Sequence, residues 1–480
     1  MFSKSITKRA TGKEKLDQVN QILTKLKTDL DQPKLSSKQR NQLLEELKVH
    51  GRVKENADPI FTEDGIRTLA CYAFKSTNSQ ISQEALRCLA NALLLEVKTR
   101  QILVNTGYAP NTAEKLKSED RDDEFLTSRI LFLMTYDTDL NYEMLVNKHQ
   151  LAESINLALA RHSKRYSKSS RRLSQIHSHP MDQMALSETL KLMFNITHFY
   201  PDLSDHFSKS IPHIFKILVR SKIPSPPLQA PINYLVNALI NLDLEDKKGQ
   251  QLKFLGMNAV FPKFDAKCNA EHLINILDNA IVAYTEKELD TTISPVLTLI
   301  RRVYEIAPEN VKKYMEWLLL PTDEERSKPL GRSDTLSSSL LRLSTSAINT
   351  SLASSISAMM FELSGKDATK FVHNVGYGFA SGFLVSNNIK MPENALEAHA
   401  TSNSDPEKAI PVNPITGQRL DMEDLVEGEP MSQEEKEREA EKLFVLFERL
   451  KATGVVDVKN PVEEAYQSGR IEELPDEDVD

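Results

Sequence analysis

The chain is short of the residues that staple small proteins or cradle phosphates. Its 480 residues include three cysteines, fifteen glycines and one tryptophan. Cys71, Cys88 and Cys268 show no CxxC spacing, which excludes a disulfide framework or a thiolate zinc site and fits a reducing compartment. No apolar run approaches the roughly 18 residues that a membrane span needs. The N-terminal MFSKSITKRATGKEK has no apolar core of the secretory kind and no Gly at position 2, so neither a signal peptide nor myristoylation is expected. The charge is acidic, 60 Lys+Arg against 68 Asp+Glu, which argues against nucleic acid as the main partner. GxSxG, HExxH and GxxxxGK[ST] are all missing. No catalytic residue, metal or cofactor is therefore assigned, and the chain reads as a cytoplasmic protein that is not an enzyme.

What is present is helix. In EKLDQVNQILTKLKTDL the apolar residues Leu16, Val19, Ile22, Leu23, Leu26 and Leu30 fall on one helical face. Proline and glycine mostly punctuate, as in SKIPSPPLQAP (221–231) and IAPEN (306–310). Three segments share the pattern apolar-x-x-[LM]-x-N-apolar: EALRCLANALL (84–94), ETLKLMFNITH (188–198) and PINYLVNALIN (231–241). A weaker copy, ILFLMTY (130–136), puts Thr135 in the asparagine slot. The slots stand at 91, 135, 195 and 237, and the one long step contains the polar insert 161–180. Without an insert of that size the period falls in the low forties, the length of an armadillo or HEAT unit. Degenerate copies continue at PVLTLIRRVYEI (295–306) and SSISAMMFELS (354–364). The expected fold is all-α: a right-handed armadillo/HEAT-like helical solenoid over 1–390.

The repeat also suggests a binding surface. Arg87, Lys191 and Asn233 stand four residues before Asn91, Asn195 and Asn237, and positions i and i+4 share a helical face. On successive inner helices these pairs would form a polar ladder along a groove. Asparagine can pair with a peptide backbone as donor and acceptor, and Arg or Lys can hold a carboxylate. In the alternative, the asparagines bridge adjacent repeats internally.

Beyond the solenoid the character changes. Residues 391–431 are polar, proline-containing and without helical period, hence a linker or strap. A C-terminal amphipathic helix is expected over 432–452, with Ser432 and Glu435 as a capping box and Leu443, Phe444, Phe447 and Leu450 on one stripe. The stripe either docks on the solenoid or meets a partner. Residues 453–480 read as an acidic, disordered tail. Ser402 and Ser404, each with an acid three residues on, are candidate phosphorylation sites. His177 and His179 lie in a Ser/Arg loop without nearby Cys or paired acids, so no metal is assigned there. The basic run Arg161, Lys164, Arg165, Lys168, Arg171 and Arg172 reads as a solvated loop rather than a phosphate or lipid site.

Gly376, Gly378 and Gly382 crowd into NVGYGFASGFL (374–384). A dinucleotide loop needs GxGxxG after a β-strand. Here the spacing is GxGxxxG and the preceding SGKDATKFVHN looks helical, so Gly376 and Gly378 are expected to end one helix and start the next. The order FVHNVGYGFASGFL, then VNPITGQRL, then MSQEEKEREAEKLFVLFERL resembles the C-terminal half of the synembryn family (resistance to inhibitors of cholinesterase eight). EALRCLANALL, LKLMFNITH and SDTLSSSLLRLSTS resemble its armadillo/HEAT repeats. The acid-rich stretch of the animal members is reduced here to SNSDPEK, and the basic insert 161–180 is outside the pattern. The resemblance implies an exchange factor and folding chaperone for heterotrimeric G-protein α subunits. Such a protein binds the GDP-bound or nascent subunit, favours GDP release and holds the nucleotide-free form. Any peripheral membrane association would then come through the partner. The rival from another class is an armadillo adaptor that binds an extended peptide without promoting exchange.

Overall fold

The structure, a computed structural model, describes residues 11–166, 179–245, 260–392, 399–400, 411–423, 432, 436 and 438–445. In chain order the helices are α1 (Gly12–Asp31), α2 (Ser37–His50), α3 (Glu63–Lys75), α4 (Ser79–Leu95), α5 (Lys98–Asn105), α6 (Ala109–Lys115), α7 (Arg121–Met134), α8 (Tyr142–His149), α9 (Leu151–Arg165), α10 (Pro180–Phe199), α11 (Ile211–Arg220), α12 (Ile232–Ile240), α13 (Cys268–Ala283), α14 (Glu286–Ile306), α15 (Glu309–Leu319), α16 (Leu336–Ser344), α17 (Thr350–Leu363), α18 (Ala368–Val375) and α19 (Tyr377–Ser386). Short polar side chains start many of them. Ser36 and Gln39 form a capping box on α2, while Thr62, Asn78, Asp120 and Asn141 accept the first free N–H groups of α3, α4, α7 and α8.

Helices α4, α7, α10, α12, α14 and α17 form one row, each packed on the next. A second layer covers it: α3 on α4, α6 on α7, α9 on α10, α11 on α12, α13 on α14 and α16 on α17. Every segment of the periodic pattern lies on the row, while SDTLSSSLLRLSTS forms α16 of the second layer. The fold is therefore an all-α solenoid, in which each unit buries its apolar face against neighbours. Leu86, Leu89, Leu131, Leu190, Leu239, Ile300 and Ile356 are fully buried along it.

The stripe of α1 ends differently from its sequence pattern. Leu30 is exposed and Asp29 is buried in its place. Asp29 accepts hydrogen bonds from Arg40 Nε (2.6 Å), the Tyr72 hydroxyl (2.8 Å) and the backbone N–H groups of Lys34 and Leu35. Burial opposes its ionisation, but Arg40 and these N–H and O–H donors outweigh burial and hold the carboxyl well below the usual range.

The first compact unit runs to Asp421, past the expected solenoid limit at 390. It ends with β1 (His399–Ala400) antiparallel to β2 (Pro411–Val412), with His399 opposite Val412. The second unit begins at Met422. Residues 438–445 of that unit are helical, and Leu443, Phe444 and Val445 are exposed. Phe447, Leu450, Glu435, Ser402, Ser404, His177 and the tail lie outside the described residues. The sole tryptophan, Trp317, is on α15, stacked on Tyr314 at 5.9 Å and 62% exposed.

Candidate functional site

The row of α4, α7, α10, α12, α14 and α17 carries the residues of the expected ladder, and each of its seams is held by a polar or charged stitch. Between α4 and α7, Arg87 pairs with Glu84 (2.9 Å) and with Asp122, while Lys48 of α2 reaches Glu84 at 2.6 Å. Between α7 and α10, Arg129 pairs with Glu188 (2.9 Å). Lys191 also bonds Glu188 (2.7 Å), and its Nζ lies 4.8 Å from the ring centre of Phe132 and 5.7 Å from that of Tyr234 on α12. Between α14 and α17, Arg301 grips Glu362 with two bonds of 2.9 and 2.6 Å. Between α12 and α14 the stitch runs to backbone, with the charge of Asp243 close by. Arg302 donates to the carbonyls of Leu239, Ile240 and Leu242 at the end of α12.

Arg87 and Lys191 thus face internal partners. Asn195 takes the bridging role: it is buried, and its amide donates to the Thr135 hydroxyl at 2.7 Å. The weak repeat copy and the strong one therefore bond across their shared slot. Asn233 accepts from the N–H of Tyr234 at 2.9 Å, a local contact. Asn91 and Asn237 are half-buried and make no side-chain hydrogen bond among the described residues. They are the ladder members with donors and acceptors to spare.

Beside the ladder runs an aromatic line that the sequence reading did not single out. Phe132 and Tyr136 meet edge-on at 5.5 Å, and Tyr136 meets Phe199 at 6.1 Å. His198 lies stacked on Phe194 at 5.7 Å and edge-on to Phe199 at 5.2 Å. Tyr136, His198 and Phe199 are exposed. The signal was available as aromatic pairs at i and i+4, but that spacing is shared with ordinary core.

The basic run is partly internal. Arg161 pairs with Glu124 (3.5 Å) and Arg165 with Asp182 (2.8 Å). Glu124 is buried with His162, whose Nε2 lies 2.8 Å away, and accepts from Thr189 at 3.1 Å. Burial alone would raise the Glu124 pKa, but His162, Arg161 and Thr189 outweigh burial and lower it. His179 caps α10 by accepting from the N–H of Met181. Lys164 alone among the described members of the run points clear into solvent. Among the described residues no group of His, Cys, Asp and Glu could hold a metal.

The glycine cluster forms a second site. α18 ends at Val375, Gly376 turns the chain at φ +82°, and α19 starts at Tyr377. Gly378 lies inside α19 rather than in the turn, which differs from the expectation. Its role is clearance: a Cβ there would come within 3.3 Å of the Ile415 carbonyl oxygen. The segment facing it is VNPITGQRL, the other motif of the resemblance. Asn413 accepts from Ile415 N–H and Thr416 N–H, and Gly417 closes the turn at φ +68°. The turn docks by backbone bonds: Tyr377 N–H to Pro414 O (2.8 Å), Leu330 N–H to Thr416 O (2.9 Å) and Arg419 N–H to Arg326 O (2.8 Å). Behind them Arg326, only 4% exposed, donates to the carbonyls of Gly417 (3.0 Å), Asn374 (2.9 Å) and His373 (3.1 Å).

Comparison with known proteins places the chain in a family. The family model described as guanine nucleotide exchange factor synembryn matches residues 43–470, and the chain belongs to that family. A synembryn-like chaperone of Schizosaccharomyces pombe is 26% identical over 312 residues, covering 61% of this chain and 56% of that protein. The chaperone Ric-8A of Rattus norvegicus is 23% identical over 479 residues, covering 89% of this chain and 84% of that one. Among solved structures, a designed armadillo repeat protein aligns over 60% of this chain and all of its own, at 10% identity and a TM-score of 0.37. Among the described residues no helix is long and apolar enough to cross a membrane.

Proposed function

We propose that the chain is an exchange factor and folding chaperone for heterotrimeric G-protein α subunits, acting in the cytoplasm. The observation that carries this reading is the family match over residues 43–470. The structure adds a surface suited to the task. A terminal helix of the partner, apolar on one side, would lie against Phe132, Tyr136, Phe194 and Phe199. Asn91 and Asn237 would meet its free backbone groups, since both amides are unspent. Arg87 and Lys191 are already paired, so they would add positive potential to the groove and a carboxylate would have to share them with Asp122 and Glu188.

Such a factor needs no acid, base or metal of its own. It needs higher affinity for the nucleotide-free subunit than for the GDP-bound one, because only that difference shifts the equilibrium. Drawing the partner's terminal helix into the groove would loosen its nucleotide site. The helical segment 438–445, with Leu443 and Phe444 exposed, would supply a second contact to the opened domain.

GDP release from a purified α subunit tests this. The chain should accelerate release and leave a nucleotide-free complex that GTP dissociates. Binding without acceleration would establish the adaptor reading instead. Phe444→Ala/Phe447→Ala should lower release more than it lowers affinity for the isolated C-terminal peptide of the α subunit. Burying a Phe contributes about 1.5–3 kcal/mol, so the loss should be at least about tenfold.

A further inference from the structure

The clasp at the end of the solenoid joins two segments that are some forty residues apart in the chain, and one side chain holds both. Arg326 comes from the short 3-10 turn Glu325–Ser327, before α16. Its guanidinium bridges the last carbonyls of α18 and the carbonyl of Gly417. Helix C-termini leave such carbonyls unpaired, and a planar cation with several fixed donors suits acceptors that come from different segments. Burial lowers the arginine pKa, opposed by the nearby Asp323 and Glu325. The guanidinium still stays charged at any physiological pH.

The fit around the turn is close at Gly417 and ordinary at Gly376. A Cβ on Gly417 would come within 2.4 Å of the Leu330 side chain, and one on Gly376 within 3.4 Å of the Ile415 carbonyl oxygen. The turn Asn413–Arg419 therefore seats in one position, with its backbone bonded to Leu330, Tyr377 and Arg326. Three residues after Arg419 the chain enters its second unit, which starts at Met422.

We infer that Arg326 is a positioning residue: it fixes the point on the solenoid from which the chain continues into the segment carrying Leu443 and Phe444. The consequence for nucleotide exchange rests on the function proposed above, whereas the clasp itself does not. An anchored departure point keeps the second contact at high effective concentration once the groove is occupied, and a released one lets the tether lengthen. The effect should appear in the maximal rate of GDP release rather than in groove affinity.

The test uses the full chain with Arg326→Ala, Arg326→Lys and Gly417→Val. Hydrogen exchange at the amides of Leu330, Tyr377 and Arg419 reads the clasp without any partner. In Arg326→Ala these amides should exchange about tenfold faster or more, as expected for lost charge-assisted bonds, while amides of α4 and α7 keep their protection. The maximal GDP-release rate should fall about fivefold or more, by the effective-concentration argument, with the concentration of α subunit at half-maximal rate and the affinity for its C-terminal peptide within about twofold of wild type. Arg326→Lys should fall between, since one ammonium cannot serve both segments. Gly417→Val should reproduce the alanine variant from the other side and stands in for it if Arg326→Ala fails to fold. Unchanged protection of the three amides in Gly417→Val and Arg326→Ala would overturn the clasp. Freed amides with an unchanged maximal rate would overturn the positioning role. A wild-type chain that accelerates no release would instead sink the proposed function, leaving the amide result to stand by itself.

Discussion

The two ends of the solenoid are stitched by different chemistry. Toward the N-terminus, Arg40, Lys48, Arg87, Arg129, Arg161 and His162 meet carboxylates. Toward the C-terminus, Arg302 and Arg326 meet backbone carbonyls, alongside the carboxylate pairs Arg301–Glu362 and Arg419–Asp421. A carboxylate titrates and can be screened; a carbonyl does neither. The N-terminal seams should therefore answer to pH and salt more strongly than the carbonyl-bound seams at Arg302 and Arg326.

Removing a carbonyl-bound arginine should have the largest effect. In Arg302→Ala the carbonyls of Ile240 and Leu242 lose this donor, while Leu239 O keeps the N–H groups of Asn241 and Leu242. Each buried unsatisfied group costs about 1–3 kcal/mol, so chemical denaturation should show a loss of about 2 kcal/mol or more, similar at low and high salt. A loss that disappears in high salt would break the comparison.

Acid should act next, and on the other end. The folded pKa values of Glu124 and Asp29 are both lowered. Their stabilisation is therefore present above the unfolded carboxylate values of about 4 and is lost as pH falls through the lower folded values. Hydrogen exchange followed downward from neutral pH should open α1, α7 and α9 before α14 and the clasp. Glu124→Gln should be less stable at pH 7 and lose less on acidification than wild type. Simultaneous opening of both ends would show that the seams are not independent.

The ladder asparagines should separate by role. Asn195→Ala leaves Thr135 without its donor and should cost about 1–2 kcal/mol of stability, with little change in affinity for a G-protein α C-terminal peptide. Asn91→Ala and Asn237→Ala should do the reverse, weakening the peptide about threefold to tenfold, as one hydrogen bond would, at nearly constant melting temperature. Equal behaviour of the three would remove the distinction. The smallest effect is expected at Arg87, whose pair with Asp122 is part-exposed. Arg87→Ala should cost about 1 kcal/mol or less at low salt, and still less at high salt by differential scanning calorimetry.

The fold was legible because a solenoid repeats one local instruction. The recurring [LM]-x-N slot marked α4, α10 and α12, and even Thr135 in the weak copy sits opposite Asn195. The division of labour within the ladder was not legible. Whether an asparagine bonds a neighbouring repeat depends on what stands opposite, and that residue lies some forty to sixty positions away in the chain. Arg302 and Arg326 were invisible for a related reason. Their partners are backbone carbonyls, which every residue carries, so no complementary side chain announces them. The two C-terminal motifs were each visible, yet their contact was not: a glycine reads as freedom to turn, and Gly378 is there to let another backbone come close.

Trp317 has an optical consequence. It is the chain's only tryptophan, it stands mostly in water, and α15 is not part of the ladder row. The ultraviolet emission of the whole protein therefore comes essentially from one surface point away from the aromatic line. A ligand confined to the ladder row should leave that colour and intensity unchanged, and a blue shift on adding a tryptophan-free partner would mean that the partner reaches round to α15.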